Sequence, residues 1–183
     1  MTLMRRYFLT AVVFGLVAQI TAQKKNGSFQ LNIRKATSEI TIDGVGEDQA
    51  WQNTDIAKDF FMVLPMDDGP ANEKTEIRMA YDDKYLYLLA TFYHSKKGEY
   101  TVESLRRDFS FGKNDNFLLF LDPFNNQTTG FSFGSNAYGA QWDGTMYDGG
   151  RIDLNWDSKW ISDSTRDDEK WIFEMAVPFK SIR

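Results

Sequence analysis

Three tryptophans, Trp142, Trp156 and Trp160, stand among Asp143, Tyr147, Asp148, Arg151, Asp153, Asn155 and Asp157, in a glycine-containing stretch without a strand's two-residue alternation. An indole offers a flat apolar face on which the axial C–H groups of a pyranose ring pack. Planar polar side chains beside it accept from and donate to pairs of hydroxyls. The stretch therefore reads as a ligand loop for a ring-shaped polyol, against the competing reading that the same indoles close the end of a core. Arg106-Arg107 offers a grip on a carboxylated sugar, with a solvated strand edge as the alternative.

Other chemistry is thinner. Asp122, Asn125 and Asn126, with Gln127, Thr128 and Thr129, gather oxygens suited to a structural calcium, yet lack the EF-hand spacing, so an ordinary turn is the competing reading. The acidic pairs Asp67-Asp68, Asp82-Asp83 and Asp167-Asp168 invite comparison with the two carboxylates of a glycosidase. Adjacent strand residues point to opposite faces and each pair sits at a turn, so solvated hairpin acids are expected and no catalytic residue is assigned. His94 is the sole histidine, which excludes a multi-histidine metal centre in this chain, and zero cysteines exclude disulfides, thiolate sites and a cysteine nucleophile. With net charge −5 and no basic stripe, nucleic acid is an unfavourable partner.

The elements that must position these residues begin behind a leader. Arg5 and Arg6 precede an apolar run from Tyr7 to Ile20, with Thr21-Ala22 before polar Lys24 and Lys25: a signal peptide over residues 1–22, too short in its apolar part to span a bilayer. An exported protein without cysteine points to a bacterial source and a core that needs no staple. Residues 23–39 read as a lead-in and 40–183 as one domain.

Within it, Glu47 to Ala57 predicts one or two helical turns with Ala50 and Trp51 inward, Trp51 as core. Thr75 to Tyr81 alternates, Asp82-Asp83-Lys84 turns, and Tyr85 to Tyr93 returns with Leu86, Leu88, Ala90 and Phe92 on one side, a β-hairpin. Phe117 to Leu121 is apolar on both faces, which predicts a central strand covered by two layers. Gly130 to Gly134 and Trp171 to Val177 add strands, with Phe179 to Arg183 starting a short helical turn. Short strands, turn signals and 15 Phe, 8 Tyr and 5 Trp predict an all-β antiparallel sandwich, jelly-roll or immunoglobulin-like, with one short helical turn near its start.

The order I-D-G-x-G-E-D-x-A-W (Ile42 to Trp51), Y-D-D-K-Y-L-Y (Tyr81 to Tyr87), N-D-N-F-L-L-F-L-D (Asn114 to Asp122) and W-x-x-E-x-x-V-P-F (Trp171 to Phe179) resembles the family 9 carbohydrate-binding modules. Arg106-Arg107-Asp108 and the ending P-F-K-S-I-R look like the subgroup at the N-terminus of larger secreted or outer-membrane bacterial proteins, ahead of a domain thought to form a barrel. The resemblance implies a β-sandwich that binds polysaccharide or oligosaccharide, a periplasmic, outer-membrane-associated or extracellular location, and a downstream domain to which any hydrolase activity of the parent would belong. It also implies a stacking tryptophan three residues before the aspartate of D-x-x-x-x-x-x-D; that position is Gly112, with Phe109 and Phe111 beside it to substitute. The expected sugar contacts are thus Trp142, Trp156, Trp160, Phe111, Asp143 and Arg107. Two other functions stay open. One is a structural or interaction domain without sugar affinity. The other is a redox sandwich holding haem non-covalently between His94 and one of Met62, Met66, Met79, Met146 and Met175, residues that otherwise serve as core filler.

Overall fold

The structure, a computed structural model, describes residues 29–64 and 69–183. The leader expected over 1–22 lies outside the described residues. Leu31–Arg183 forms one compact unit, built as two sheets with little helix.

The hairpin expected from alternation is present: β3 (Thr75–Tyr81) pairs antiparallel with β4 (Tyr85–Tyr93), Thr75 opposite Phe92 and Tyr81 opposite Leu86. Asp82 closes the turn, its Oδ1 accepting the N–H of Lys84 and of Tyr85 at 2.7 Å each. On the other edge of β3 lie two short strands, β1 (Arg34–Lys35, parallel) and β2 (Ile56–Ala57, antiparallel). The sheet therefore begins in the lead-in, before residue 40. The last strand of the chain, β10 (Lys170–Pro178), inserts between β4 and β9 (Ile161–Arg166), giving the order β1-β3-β4-β10-β9 with β2 also on β3. The second sheet is a meander of β5 (Asn116–Leu121), β6 (Gly130–Asn136), β7 (Gln141–Tyr147) and β8 (Arg151–Asp153).

Between the sheets, Leu86, Leu88 and Ala90 of β4 and Phe173, Met175 and Val177 of β10 meet Phe131 and Phe133 of β6. The opposite face of β3, β4 and β10 is also covered: Ala80, Tyr87, Leu89 and Ala176 pack under Ile40 and the single turn α1 (Gln49–Gln52), whose Ala50 and Trp51 point inward as expected. Burial on both faces explains why β4 and β10 read as nearly continuous apolar runs. A third cluster, Phe109, Ala140 and Trp142 with Leu118 and Ile152, is separate from these two.

One buried carboxylate joins the ends of the domain. Glu174 on β10 accepts the backbone N–H of Asp43 (3.2 Å) and Gly44 (2.9 Å) at Oε2 and the Trp51 indole N–H (3.0 Å) at Oε1. The I-D-G, A-W and W-x-x-E elements are therefore one hydrogen-bonded clasp. Gly44 is required there: its φ is +74°, and a Cβ would press on the Ser164 backbone at 3.0 Å.

Phe117 to Leu121 corrects the expectation of a central strand. It is β5, an edge of the four-stranded sheet, partly exposed along its whole length. Its apolar residues on both faces reflect a core on one side and Leu118's contact with the Phe109 cluster on the other, not two flanking strands.

Candidate functional site

The stretch expected to be a ligand loop begins as sheet, in β7 and β8. Trp142 lies in β7, 3% exposed, packed with Phe109 and Ala140. Trp160, 7% exposed, stands edge-on to Phe133 and Phe173, ring centroids 5.5 and 6.5 Å apart. Trp156 is half-buried over Phe131 at 5.3 Å. Alternation failed as a signal because both faces of β7 are covered: Trp142 fills one cluster and Asp143, next to it, is fully buried too. The segment Arg107 to Phe109 lies against the start of β7, Asp108 donating its N–H to the Gln141 carbonyl at 3.0 Å.

Arg107 is neither a free grip nor a solvated edge. It donates from Nη1 to Gln141 Oε1 (2.8 Å), pairs through Nη2 with Asp143, and its Nε lies 2.9 Å from Asp157. The other Asp143 oxygen accepts the Ser158 N–H at 2.9 Å. Burial pushes the Asp143 carboxyl above its ordinary pKa, opposed by the Ser158 N–H and the Arg107 charge. This network pins the 106–109 segment, and Phe109 is buried. Of the expected contacts only Phe111, 64% exposed on the turn Phe111–Lys113, presents most of its ring to solvent.

A different place gathers aromatic rings and polar groups. Where β4 ends and β5 begins, a cleft of about 340 Å³ is lined by residues that include Phe92, Tyr93, His94, Lys96, Tyr100, Asp115, Asn116 and Trp171. The His94 ring stacks on Tyr100 (centroids 5.1 Å, planes 22° apart) and Phe92 on Trp171 (4.1 Å, 18°). Backbone bonds fix this rim: His94 N–H to Glu169 O (2.7 Å), Gly98 N–H to Asp168 O (3.1 Å) and Asp115 N–H to Thr101 O (2.7 Å). The Tyr100 hydroxyl donates to Asp167 O at 2.8 Å, and burial raises its pKa. His94 Nε2 is 2.7 Å from Glu99 O. Asp115 Oδ2 accepts the Thr101 N–H (2.8 Å), while its Oδ1 and the Lys96 Nζ have no partner among the described residues.

None of the residues expected to contact sugar lines this cleft. Phe92, His94 and Tyr100 are 8 residues apart at most, but they line one cleft, with His94 and Tyr100 stacked, because the 94–100 loop folds back onto the 167–170 turn. Asp115 was visible as the first aspartate of the D-x-x-x-x-x-x-D element, and Gly112, the position of the implied stacking ring, lies just before it with open space around its Cα.

Residues 42–183 match the profile described as the carbohydrate family 9 binding domain-like family. The chain belongs to this family. No curated protein matches the sequence. Among solved structures the fold is similar to a family 9 carbohydrate-binding module from Caldicellulosiruptor kristjanssonii in complex with glucose, at TM-score 0.55 and 14% identity, over 80% of this chain and 68% of that one. The structure of a family 9 module from that organism with cellotriose gives the same TM-score and identity, covering 66% of that chain. A candidate carbohydrate-binding protein from Bacteroides uniformis has TM-score 0.63 and 11% identity, over 81% of this chain and 72% of its own. At these identities the likeness is one of fold, and the sandwich with a short helical turn is the family 9 architecture.

Elsewhere in this family 9-like domain the candidate groups have local work. Asp122 accepts the N–H of Phe124 (3.1 Å) and Gln127 (2.7 Å), and Asn126 Oδ1 those of Thr128 and Thr129 (2.9 Å each), while Asn125 turns the chain at φ +52°. The Asp122 and Asn126 oxygens considered for calcium thus bind the loop's own amides, and among the described residues no three His, Asp or Glu side chains converge on a cation position. Asp167, like Asp82, closes a hairpin, accepting the N–H of Glu169 and Lys170. Asp67, Asp68 and Met66 lie outside the described residues. Met79 and Met175 are interior packing. No helix among the described residues is long and apolar enough to cross a membrane.

Proposed function

We propose that this family 9-like domain binds carbohydrate without cleaving it, seating a pyranose ring in the cleft between the end of β4 and the start of β5. The observation that carries the reading is the meeting there of the His94–Tyr100 ring pair with the Asp115 carboxylate and the exposed Lys96. Aromatic faces beside a few polar groups suit the C–H face and the hydroxyl rim of a sugar. Membership of the family supports the ligand class, as do the family 9 modules solved with glucose and cellotriose. Phe111, exposed on the neighbouring turn, supplies a second ring for a longer chain. On this reading the leader over 1–22 exports the protein to the periplasm, outer membrane or exterior. There it holds polysaccharide or its chain ends for a carbohydrate-degrading system, ahead of a downstream domain.

Titration with glucose, cellotriose and xylan fragments by calorimetry tests it. Tyr100→Ala and Asp115→Ala each weaken binding by about tenfold or more, the order expected from loss of one stacking or bidentate contact. Trp156→Ala leaves affinity unchanged. Binding by wild type that is insensitive to Tyr100 and Asp115 would move the site elsewhere. A second reading, an interaction domain without sugar affinity, is favoured by Gly112 standing where the resemblance implies a stacking tryptophan; flat titrations with every sugar would establish it.

A further inference from the structure

The two sheets expose several edges, and all but one are blunted. β1 and β2 are two residues each and β8 three, too short to template a partner strand. β9 is longer, but carries Ser162, Asp163, Ser164, Thr165 and Arg166, and the Gly44 turn sits against its backbone, Thr165 Oγ1 donating to Gly44 O at 2.5 Å. β5 is the exception. Its six residues, Asn116-Phe117-Leu118-Leu119-Phe120-Leu121, contain no charge and no proline, and its neighbour β6 is buried throughout while every β5 residue keeps partial exposure, Phe120 at 47%. Thr101 and Val102 cover the outer edge at Asp115 and Asn114, just ahead of the strand, and from Phe117 to Leu121 β6 is the one paired strand among the described residues, so every second N–H and C=O there faces outward.

We propose that β5 is a self-association edge, pairing antiparallel with β5 of a second copy of this chain to make one eight-stranded sheet. The sequence of the strand selects this occupant. A two-fold axis normal to the sheet keeps inner faces with inner faces, so opposed residues must have positions of equal parity. Centred on Leu119, it places Leu119 opposite itself and Phe117 opposite Leu121 on the inner face, extending the interior cluster that already holds these three side chains. On the outer face Leu118 meets Phe120 of the second copy and covers the exposed ring. At the ends Asn116 faces Asp122, so in an acidic chain of net charge −5 no carboxylate of the ladder opposes a carboxylate. A six-residue ladder buries less than the ~1,200 Å² of a stable complex, which makes the dimer weak and concentration-dependent.

Sedimentation equilibrium of the full chain, up to about 100 µM so that a micromolar Kd registers, is expected to show a species of twice the 21.2 kDa monomer mass. Phe120→Lys is expected to raise the dissociation constant by about tenfold or more, because two lysines then face the apolar ladder. Ile161→Lys on the β9 edge is expected to leave it unchanged. A monomer at every concentration overturns the proposal, as does a dimer broken by Ile161→Lys and not by Phe120→Lys. Should the lysine variant misfold, hydrogen exchange of wild type decides. Amides of residues 116–121 that lose protection on dilution support the edge, and protection independent of concentration overturns it.

Discussion

Glu174 carries more of the fold than its single position suggests. Its carboxylate is fully buried with three N–H donors and no cation, so desolvation outweighs the donors and pushes its pKa above the ordinary 4.5. Between its unfolded and folded pKa values the native state then binds the extra proton, and stability falls as pH rises through the folded value. Asp143 has the same sign for the same first cause, burial. Wild type is therefore expected to have a higher urea midpoint at about pH 5 than at pH 7, and Glu174→Gln to flatten that difference. The variant also sets an NH₂ against backbone donors, which costs about 1–3 kcal/mol at either pH. Equal midpoints at both pH values in wild type would count against the assignment. The E of W-x-x-E is plain in the sequence as a letter. Two of its three donors are not, because they are main-chain N–H groups some 130 residues away, and main chain leaves no mark in composition.

At the scale of elements, alternation and turn signals found the β3–β4 hairpin with Leu86, Leu88 and Ala90 of β4 inward as expected, and the apolar run from Trp171 to Val177 found β10. The pattern misled at β7 and β5. β7 hid Trp142 in what looked like irregular sequence, and β5 looked central because neighbours cover its two faces while its edge stays open. Trp142 as a packing residue has a measurable consequence: Trp142→Ala is expected to cost about 3–5 kcal/mol in urea unfolding, by loss of a buried indole and the cavity left under Phe109. Trp156→Ala, half-buried, costs less. A Trp142→Ala protein of full stability and reduced sugar affinity would restore the indole to a binding role.

For the whole molecule, charge and ligand chemistry separate. The net charge of −5 and a cleft that mixes Asp115 and Glu73 with Lys96 suit a neutral ring better than a polyanion. Affinity built from stacking and hydrogen bonds is expected to change less than about threefold between 20 mM and 500 mM salt, since the contacts made are not ion pairs between exposed charges. A steep salt dependence, measured by the same titrations, would indicate an acidic sugar instead. What the amino-acid order determined by itself was the class of fold, the hairpin and last strand, and membership of a family whose four motifs stay in register. These follow from local periodicity and turn chemistry, which act between near neighbours along the chain. Which rings are free was decided only in three dimensions. The expected indoles went into clusters, Arg107 into an ion-pair network, and His94, Tyr100 and Asp115 to one cleft, because burial is a property of how sheets and loops pack and the same side chain serves a core or a ligand according to what lies above it.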